Sequence, residues 1–351
     1  MEILQEAATR GGVCSHVTRQ PVTEAADITQ DPTTEILLCT YNGAPFILEQ
    51  LQSILYQTTA VTKISIYDDC SSDNTVLRIH EFVTQLPSPE RTLFAVHVNA
   101  TNLGYARNFI NAVENATQDI LFLCDQDDIW EPQKVASLLE LLRDAGPDLV
   151  CSDGALIDES GRPLDRTTVL QSYGLAKADI AHFQERAFEL LLKRNYVNGA
   201  AAAIRRARAQ SALPLPCDMP HDYWLAIWCS LHGGIVATPQ ALYRYRQHRR
   251  NVIGAGSSNP MYEWLGIWRH PNVPRERELR IWRAVTNRID QLPSSKEIDA
   301  AHRKLDWLTR IVSRDKRLSR VLEILKSTLN GNYRRYSSAD SFFRDLVSLI
   351  K

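Results

Sequence analysis

The chain has no C-x-x-C among its seven cysteines, no G-x-G-x-x-G and no G-x-x-x-x-G-K-[ST]. It also has no apolar run of about 18 residues, the length a bilayer span needs. Each absence removes a class. Scattered cysteines build neither a disulfide framework nor a zinc site, and Cys39, Cys124, Cys151 and Cys229 lie inside apolar stretches, where a thiol acts as a small hydrophobe. That usage suits a reducing compartment. Without the two glycine-rich phosphate loops, the chain is neither an ordinary dinucleotide enzyme nor a P-loop NTPase. A net charge of −1 gives no reason to expect nucleic acid. The start, MEILQEAATRGGVCSHVTRQ, has no basic stretch leading into an apolar core. The expectation is a cytoplasmic protein, able to sit at the inner face of the cell membrane.

The charge is unevenly spread. Residues 275–351 carry a net +8 and the rest a net −9. A basic tail on an acidic body is either a solvated helical face or a surface that meets something anionic, a membrane or another subunit.

Residues 1–33 are polar and aperiodic and read as a loose leader. From residue 34, short apolar runs alternate with helical periodicity. EILLCTYNG, KISIYDD, TLFAVHV and DILFLCD read as strands; APFILEQLQSILYQT, SSDNTVLRIHEFVTQL, NLGYARNFINAVENA and PQKVASLLELLRDA read as helices or loops entering helices. Ser72 or Asp73 is placed to cap the second helix, and Pro132 to sit in the first turn of the fourth. Beyond residue 149 come strands (DLVCSDGALI, GGIVAT, ALYRYRQH) and helices (Phe183 to Arg194, DYWLAIWCSLH). VIGAGSSNPMYEW reads as a mobile loop, and Pro293-Ser294-Ser295 divides a helical region over 275–328. The fold class is therefore α/β, a mainly parallel sheet flanked by helices, with a helical appendage at the C-terminus. The boundaries expected are 1–33, 34–254 and 255–351.

In such sheets chemistry gathers at the carboxyl ends of the strands. The polar clusters fall there: Thr40-Tyr41-Asn42, Asp68-Asp69, Asn102 and Asp125-Gln126-Asp127-Asp128. In LFLCDQDDIW, three aspartates within four positions leave a buried strand and call for a positive partner. Acidic side chains do not hold a diphosphate, but they hold a divalent cation that does.

Five segments, CTYNGAPFILEQLQSILYQT, YDDCSSDNT, NLGYARN, CDQDDIW and HDYW, together resemble the family 2 glycosyltransferases, inverting enzymes with the GT-A nucleotide-sugar fold. The likeness covers roughly residues 34 to 254. DQDDIW, HDYWLA and YRQHRRNVIG look closer to the bacterial rhamnosyltransferase-type branch than to cellulose or chitin synthases. The resemblance implies roles. Asp125 and Asp127 match the D-x-D motif: Asp127 would bind Mg²⁺ or Mn²⁺, and Asp125 would reach the ribose or assist the metal. Asp68 and Asp69 match the acidic pair at the base. Since adjacent strand residues face opposite ways, one of them, Asp68 for preference, would accept the N3–H of uracil or thymine. Thr40 and Tyr41 would flank the base, Tyr41 by stacking, and Arg107 would approach the nucleotide. Asp222 matches the general base, with His221 in place of the usual Glu. His248 would complete the metal shell or touch phosphate, while Arg249 or Arg250 would pair with the diphosphate. Asn198 and Gly199 fall where the family lines the acceptor side.

Each residue has a plainer role open to it. Asp128, Asp222 and the Asp68-Asp69 pair suit helix or turn capping. Arg107 suits an exposed helix face, and His248 a structural position. The implied activity is transfer of a sugar, L-rhamnose from dTDP-L-rhamnose or a hexose from a UDP-sugar. The acceptor would be a saccharide or lipid-linked saccharide in cell-surface polysaccharide assembly. A nucleotidyltransferase would bring a basic, glycine-rich loop near the N-terminus, which TYNGAPF lacks; a non-catalytic carbohydrate-binding protein would not need Asp222. For a lipid-linked acceptor, Trp264, Trp268, Phe342 and Phe343 would anchor the tail at a membrane; the same helices equally suit a homodimer.

Overall fold

The computed structural model describes residues 31–144, 146–175, 177–249, 251, 273–313, 317–337 and 339–347. Most of the expected leader and all of the expected loop VIGAGSSNPMYEW, as well as Arg250 and Trp268, lie outside them.

One nine-stranded sheet organises the chain, in the order β3-β2-β1-β4-β8-β6-β9-β5, with β7 paired to β6. Its first half is parallel: β3 (Phe94–Val98), β2 (Lys63–Asp68), β1 (Thr34–Thr40) and β4 (Ile120–Asp125). β1 is buried along its whole length, as a strand covered on both faces must be, and its apolar run is accordingly unbroken. The short β8 (Ala202–Arg205) runs antiparallel between β4 and β6 (Leu149–Ile157). β9 (Ile235–Arg246) is one long strand where the sequence suggested two; it pairs parallel with β6 through register shifts at Ser152–Ala155. The two-residue β5 (Ile129–Trp130) hangs on its end, and β7 (Pro163–Thr168) pairs with β6.

The helices that carry the site follow their sequence signals. α1 (Ile47–Leu55) buries Ile47, Leu51 and Ile54 on one stripe. α2 (Thr75–Gln85) has Asn74 at its cap without a side-chain bond; Asp73 instead accepts from the Thr75 N–H and hydroxyl. α3 (Ser88–Arg91) is a single turn, and α4 (Tyr105–Asn115) enters through Gly104 at φ 82°. α5 (Lys134–Asp144) begins after Pro132, whose carbonyl accepts from Thr58 N at 2.8 Å, so Pro132 lies ahead of the first turn.

The C-terminal helices run over Val273–Ile289, Lys296–Val312, Arg317–Leu329, Asn332–Tyr336 and Ala339–Val347. Ser295 caps the second, accepting from Ile298 N. They belong to one compact unit with the sheet. Lys304, buried, donates to the Leu192 carbonyl at 2.5 Å and pairs with Glu278 at 2.7 Å. Arg288 donates to the Leu213 carbonyl, and Arg280 pairs with Asp218. Arg275 meets Asp345 at 2.8 Å beneath Trp307 and Tyr333. The first and third of these ion pairs lie within residues 275–351, and Arg280–Asp218 joins that segment to the rest of the chain. Among the described residues no helix is long and apolar enough to cross a membrane.

Candidate active site

At the carboxyl ends of β1, β2 and β4 a cavity of about 1110 Å³ opens, closed on its far side by the segment Arg194–Gly199 and by the helix α6 (His221–Ser230). Thr40, Tyr41, Asp69, Asp125, Asp127, Asp222 and His248 all line it. These residues come from separate elements, joined by the parallel topology.

The β1 end is held by Gln126, which accepts from Tyr41 N at 2.8 Å and donates to Tyr41 O at 3.0 Å. Gly43 makes this clamp possible: a Cβ there would lie 2.1 Å from the Gln126 Oε1. Tyr41 remains about half exposed over the cavity, available to stack.

Asp68 does not face the cavity. Its carboxylate accepts from the Thr40 hydroxyl at 2.7 Å and from Ser71 N and Oγ at 2.8 and 2.6 Å. Strand alternation fails as a guide because β2 ends at Asp68, and the turn that follows passes through Cys70 at φ 63°. Asp69 is the one on the cavity wall. It accepts from Leu103 N and Gly104 N, each at 2.8 Å, and from Asn99 Nδ2 at 2.9 Å, and so docks the loop entering α4. Arg107 and Arg249 are exposed and do not line the cavity.

The acidic turn rests on cations buried beneath it. Arg246, 1% exposed, donates through Nε to the Asp127 carbonyl at 2.8 Å and through its backbone N–H to Asp128 Oδ1 at 3.0 Å. It also reaches Glu49 Oε2 at 2.5 Å and the Glu159 carbonyl at 3.0 Å. Lys134, fully buried, donates to the Ala200 carbonyl and lies over the Trp130 ring, 3.8 Å from its centroid. Burial lowers its pKa against the pull of Asp128 and Asp125, and burial with the neighbouring aspartates raises Asp128 well above the carboxylate range. Asp128 is therefore scaffold. Asp125 is pushed up to about 7, first by burial, then by Asp127 and Asp222. A carboxylate pair so loaded favours an added cation.

Asp127 offers Oδ2 to His248 Nε2 at 2.8 Å, and His248 packs on the Phe46 ring at 4.7 Å. Among the described residues no three His, Cys, Asp or Glu form a metal cage by themselves. The donor set Asp125, Asp127 and His248 suits a cation that takes its remaining ligands from phosphate oxygens, as Mg²⁺ commonly does.

Across the cavity, Asp222 stands in the first turn of α6. It accepts from Gly199 N at 3.2 Å and Tyr223 N at 2.7 Å, with Asn195 as a further partner. Burial outweighs these bonds and pushes its carboxyl up to about 6. Asn195, Tyr173, Arg194 and Tyr105 also line the cavity, and nothing in the spacing of the sequence singled them out.

The model of the Glycosyl transferase family 2 matches residues 35–210, and the chain belongs to that family. An uncharacterised protein of Mycobacterium tuberculosis is 25% identical over 222 residues, 62% of this chain; the chain spans 59% of that relative's length. The dTDP-rhamnosyl transferase RfbG of Shigella flexneri is 29% identical over 244 residues, 66% of this chain and 79% of RfbG. Over a shorter stretch of 112 residues, 32% of this chain and 42% of the relative, it is 30% identical to WfgD of Escherichia coli, a UDP-Glc:alpha-D-GlcNAc-diphosphoundecaprenol beta-1,3-glucosyltransferase. Two solved structures share the fold. TarS 1-349 of S. aureus, in complex with UDP-GlcNAc, superposes at TM-score 0.51 with 14% identity and 90% of each chain covered. The mannosyltransferase PcManGT of Pyrobaculum calidifontis, in complex with GDP-Man and Mn2+, superposes at 0.52 with 15% identity, covering 95% of this chain and 90% of that one. The architecture is thus the GT-A fold.

Proposed function

We propose that this chain is an inverting glycosyltransferase that moves a sugar from a nucleoside diphosphate donor to a saccharide or lipid-linked saccharide in cell-surface polysaccharide synthesis. The observation that carries the reading is the meeting, in one cavity, of the Asp125–Asp127 turn and His248 with Asp222 on the opposite wall. RfbG's described activity favours dTDP-L-rhamnose as donor. The likeness to WfgD favours UDP-hexose as the second reading.

In this account Tyr41 stacks on the base, beside the Thr40 backbone, and Asp69 accepts the N3–H that uracil and thymine share. Asp127, with Asp125 and His248, would hold Mg²⁺ or Mn²⁺ against the two phosphates; such a cation neutralises charge on the departing diphosphate. Asp222 accepts the proton of the acceptor hydroxyl. That oxygen forms the new bond to the anomeric carbon as the bond to the diphosphate oxygen breaks on the other side, and the electron pair leaves with the nucleoside diphosphate. A carboxyl near 6 is ionised at neutral pH yet a better proton acceptor than an ordinary aspartate. The C-terminal helices expose Leu322, Leu325, Leu329 and Phe343, which we assign to contact with a membrane carrying a lipid-linked acceptor.

The test is donor turnover by the purified chain with dTDP-L-rhamnose and UDP-glucose, with Mn²⁺ or EDTA, in wild type, Asp127→Ala and Asp222→Asn. Metal-dependent release of nucleoside diphosphate that both variants lack supports the reading. Release that neither substitution alters removes it.

A further inference from the structure

The cavity wall carries one cation that the transfer chemistry above does not use. Among the described residues lining it, Asp69, Asp73, Asp125, Asp127 and Asp222 are acidic, and Arg194 alone is a lysine or arginine. Exposed arginines are ordinarily left to solvent, but this one is held. Its Nη1 donates to the Tyr173 carbonyl at 3.0 Å, and the guanidinium lies 5.7 Å from the Tyr173 ring centre and 5.9 Å from that of Tyr196. No carboxylate of the described residues pairs with it. A guanidinium has five N–H donors in one plane, and the Tyr173 carbonyl takes one.

Arg194 belongs to the Asp222 end of the cavity. It begins the segment Arg194–Gly199, in which Asn195 and the Gly199 N–H both donate to Asp222. The acidic turn has cations of its own, Arg246 and Lys134 beneath it. A second arginine reaches the Asp222 end. Burial raises the phenol of Tyr105, Asp222 raises it further, and Arg277 of the first C-terminal helix pulls it down. A neutral saccharide is indifferent to net charge. A phosphate or carboxylate entering beside Asp222 is repelled by it, and a planar guanidinium that binds such a group bidentately offsets that repulsion.

We infer that the acceptor carries an anionic group, phosphate or carboxylate, and that Arg194 binds it beside Asp222. The inference rests on the function proposed above and narrows its acceptor. The anion is either the diphosphate of a lipid-linked saccharide or the carboxylate of an acidic sugar.

For the test, the enzyme is first saturated with Mn²⁺ and UDP or dTDP, so that the donor site is filled. Calorimetry then titrates three probes with the same chain: octyl glucoside, octyl glucuronide and octyl glucosyl diphosphate. Wild type, Arg194→Gln and Arg194→Lys are compared. Gln keeps hydrogen-bond donors without the charge, and Lys keeps the charge without the planar fork. The expected result is that wild type binds at least one anionic probe roughly tenfold or more tightly than the glucoside. Gln abolishes that preference and Lys retains part of it. Neither changes affinity for the glucoside or the nucleoside diphosphate. A preference for the diphosphate names the lipid linkage, and one for the glucuronide names an acidic sugar. A wild type that prefers neither anion overturns the inference, and so does a preference that survives in Arg194→Gln. Weaker UDP or dTDP binding by Arg194→Gln also overturns it, because the guanidinium then serves the donor. A wild type that binds neither nucleotide overturns the proposed function itself.

Discussion

His248 Nε2 lies 2.8 Å from Asp127 Oδ2, and the two residues meet on the cavity wall, one coming from the end of β9 and the other from the end of β4. The contact fixes the Asp127 carboxylate from a strand remote in sequence. Arg246, two residues before His248, fixes the Asp127 backbone from below. A single strand end thereby positions both parts of the proposed metal residue.

His248→Ala should therefore weaken Mn²⁺-dependent nucleoside diphosphate binding by about 10–100-fold, the range seen when a partner of a metal ligand is lost. Thermal stability should change little. Titration of nucleotide at fixed Mn²⁺ checks it, and unchanged affinity would assign His248 a packing role on Phe46.

The pH profile follows from Asp222. The base must be ionised, so kcat/KM should rise with pH to a plateau, with a midpoint near 6. Asp222→Asn should lower transfer by about 10²–10⁴-fold and flatten that limb. The folded-state pKa is raised above 3.8, so this carboxyl favours the folded state fully below pH 3.8. That contribution disappears as pH rises through about 6. At neutral pH the asparagine variant should accordingly be more stable, by about 1–2 kcal/mol after allowing for the residue's partial exposure. Paired denaturant curves at pH 5 and 7.5 read the sign.

Gly43→Ala should expel the Gln126 amide, since the new methyl meets it at 2.1 Å. Gln126 is the far end of a flexible side chain, so the steric cost is small, but both bonds to Tyr41 are lost. The expected result is a stability loss of about 1–2 kcal/mol and weaker nucleotide binding through a loosened Tyr41. Gln126→Ala should mimic it.

Lys304→Met should loosen the C-terminal helices from the segment Arg194–Gly199, which in the proposed function faces the acceptor. It leaves Glu278 with one cation fewer and the Leu192 carbonyl unpaired, a loss of about 3 kcal/mol for a broken buried pair. Because Leu192 leads into the segment Arg194–Gly199, acceptor KM should rise more than nucleotide affinity falls. Steady-state kinetics against calorimetry separates the two.

The sequence made the α/β order, the strand ends and the acidic turn legible, because unbroken apolar runs and helical periodicity are local signals. What it hid depends on contacts between distant segments. The sequence favoured Asp68 for the base, but Asp68 is a bridge to Thr40, and the turn through the left-handed Cys70 leaves Asp69 on the wall instead. Nothing in YRYRQH marks Arg246, which donates to the Asp127 carbonyl from the end of β9. Lys134 opens its helix, and nothing local in the sequence shows that it is buried over the Trp130 ring. The basic tail could be read as a solvated face or as a surface for an anionic partner, and the sequence did not reveal that Arg275, Arg280 and Lys304 form ion pairs.

The central claim is that the Asp125–Asp127 turn seats a metal-bound nucleoside diphosphate. Its most direct test is calorimetric titration of wild type and Asp127→Ala with dTDP and UDP, each with Mn²⁺, Mg²⁺ or EDTA. The account predicts binding that requires both the cation and Asp127, with the dTDP-to-UDP affinity ratio naming the donor class. Binding that persists in EDTA or in Asp127→Ala, or no binding under any of these conditions, contradicts it.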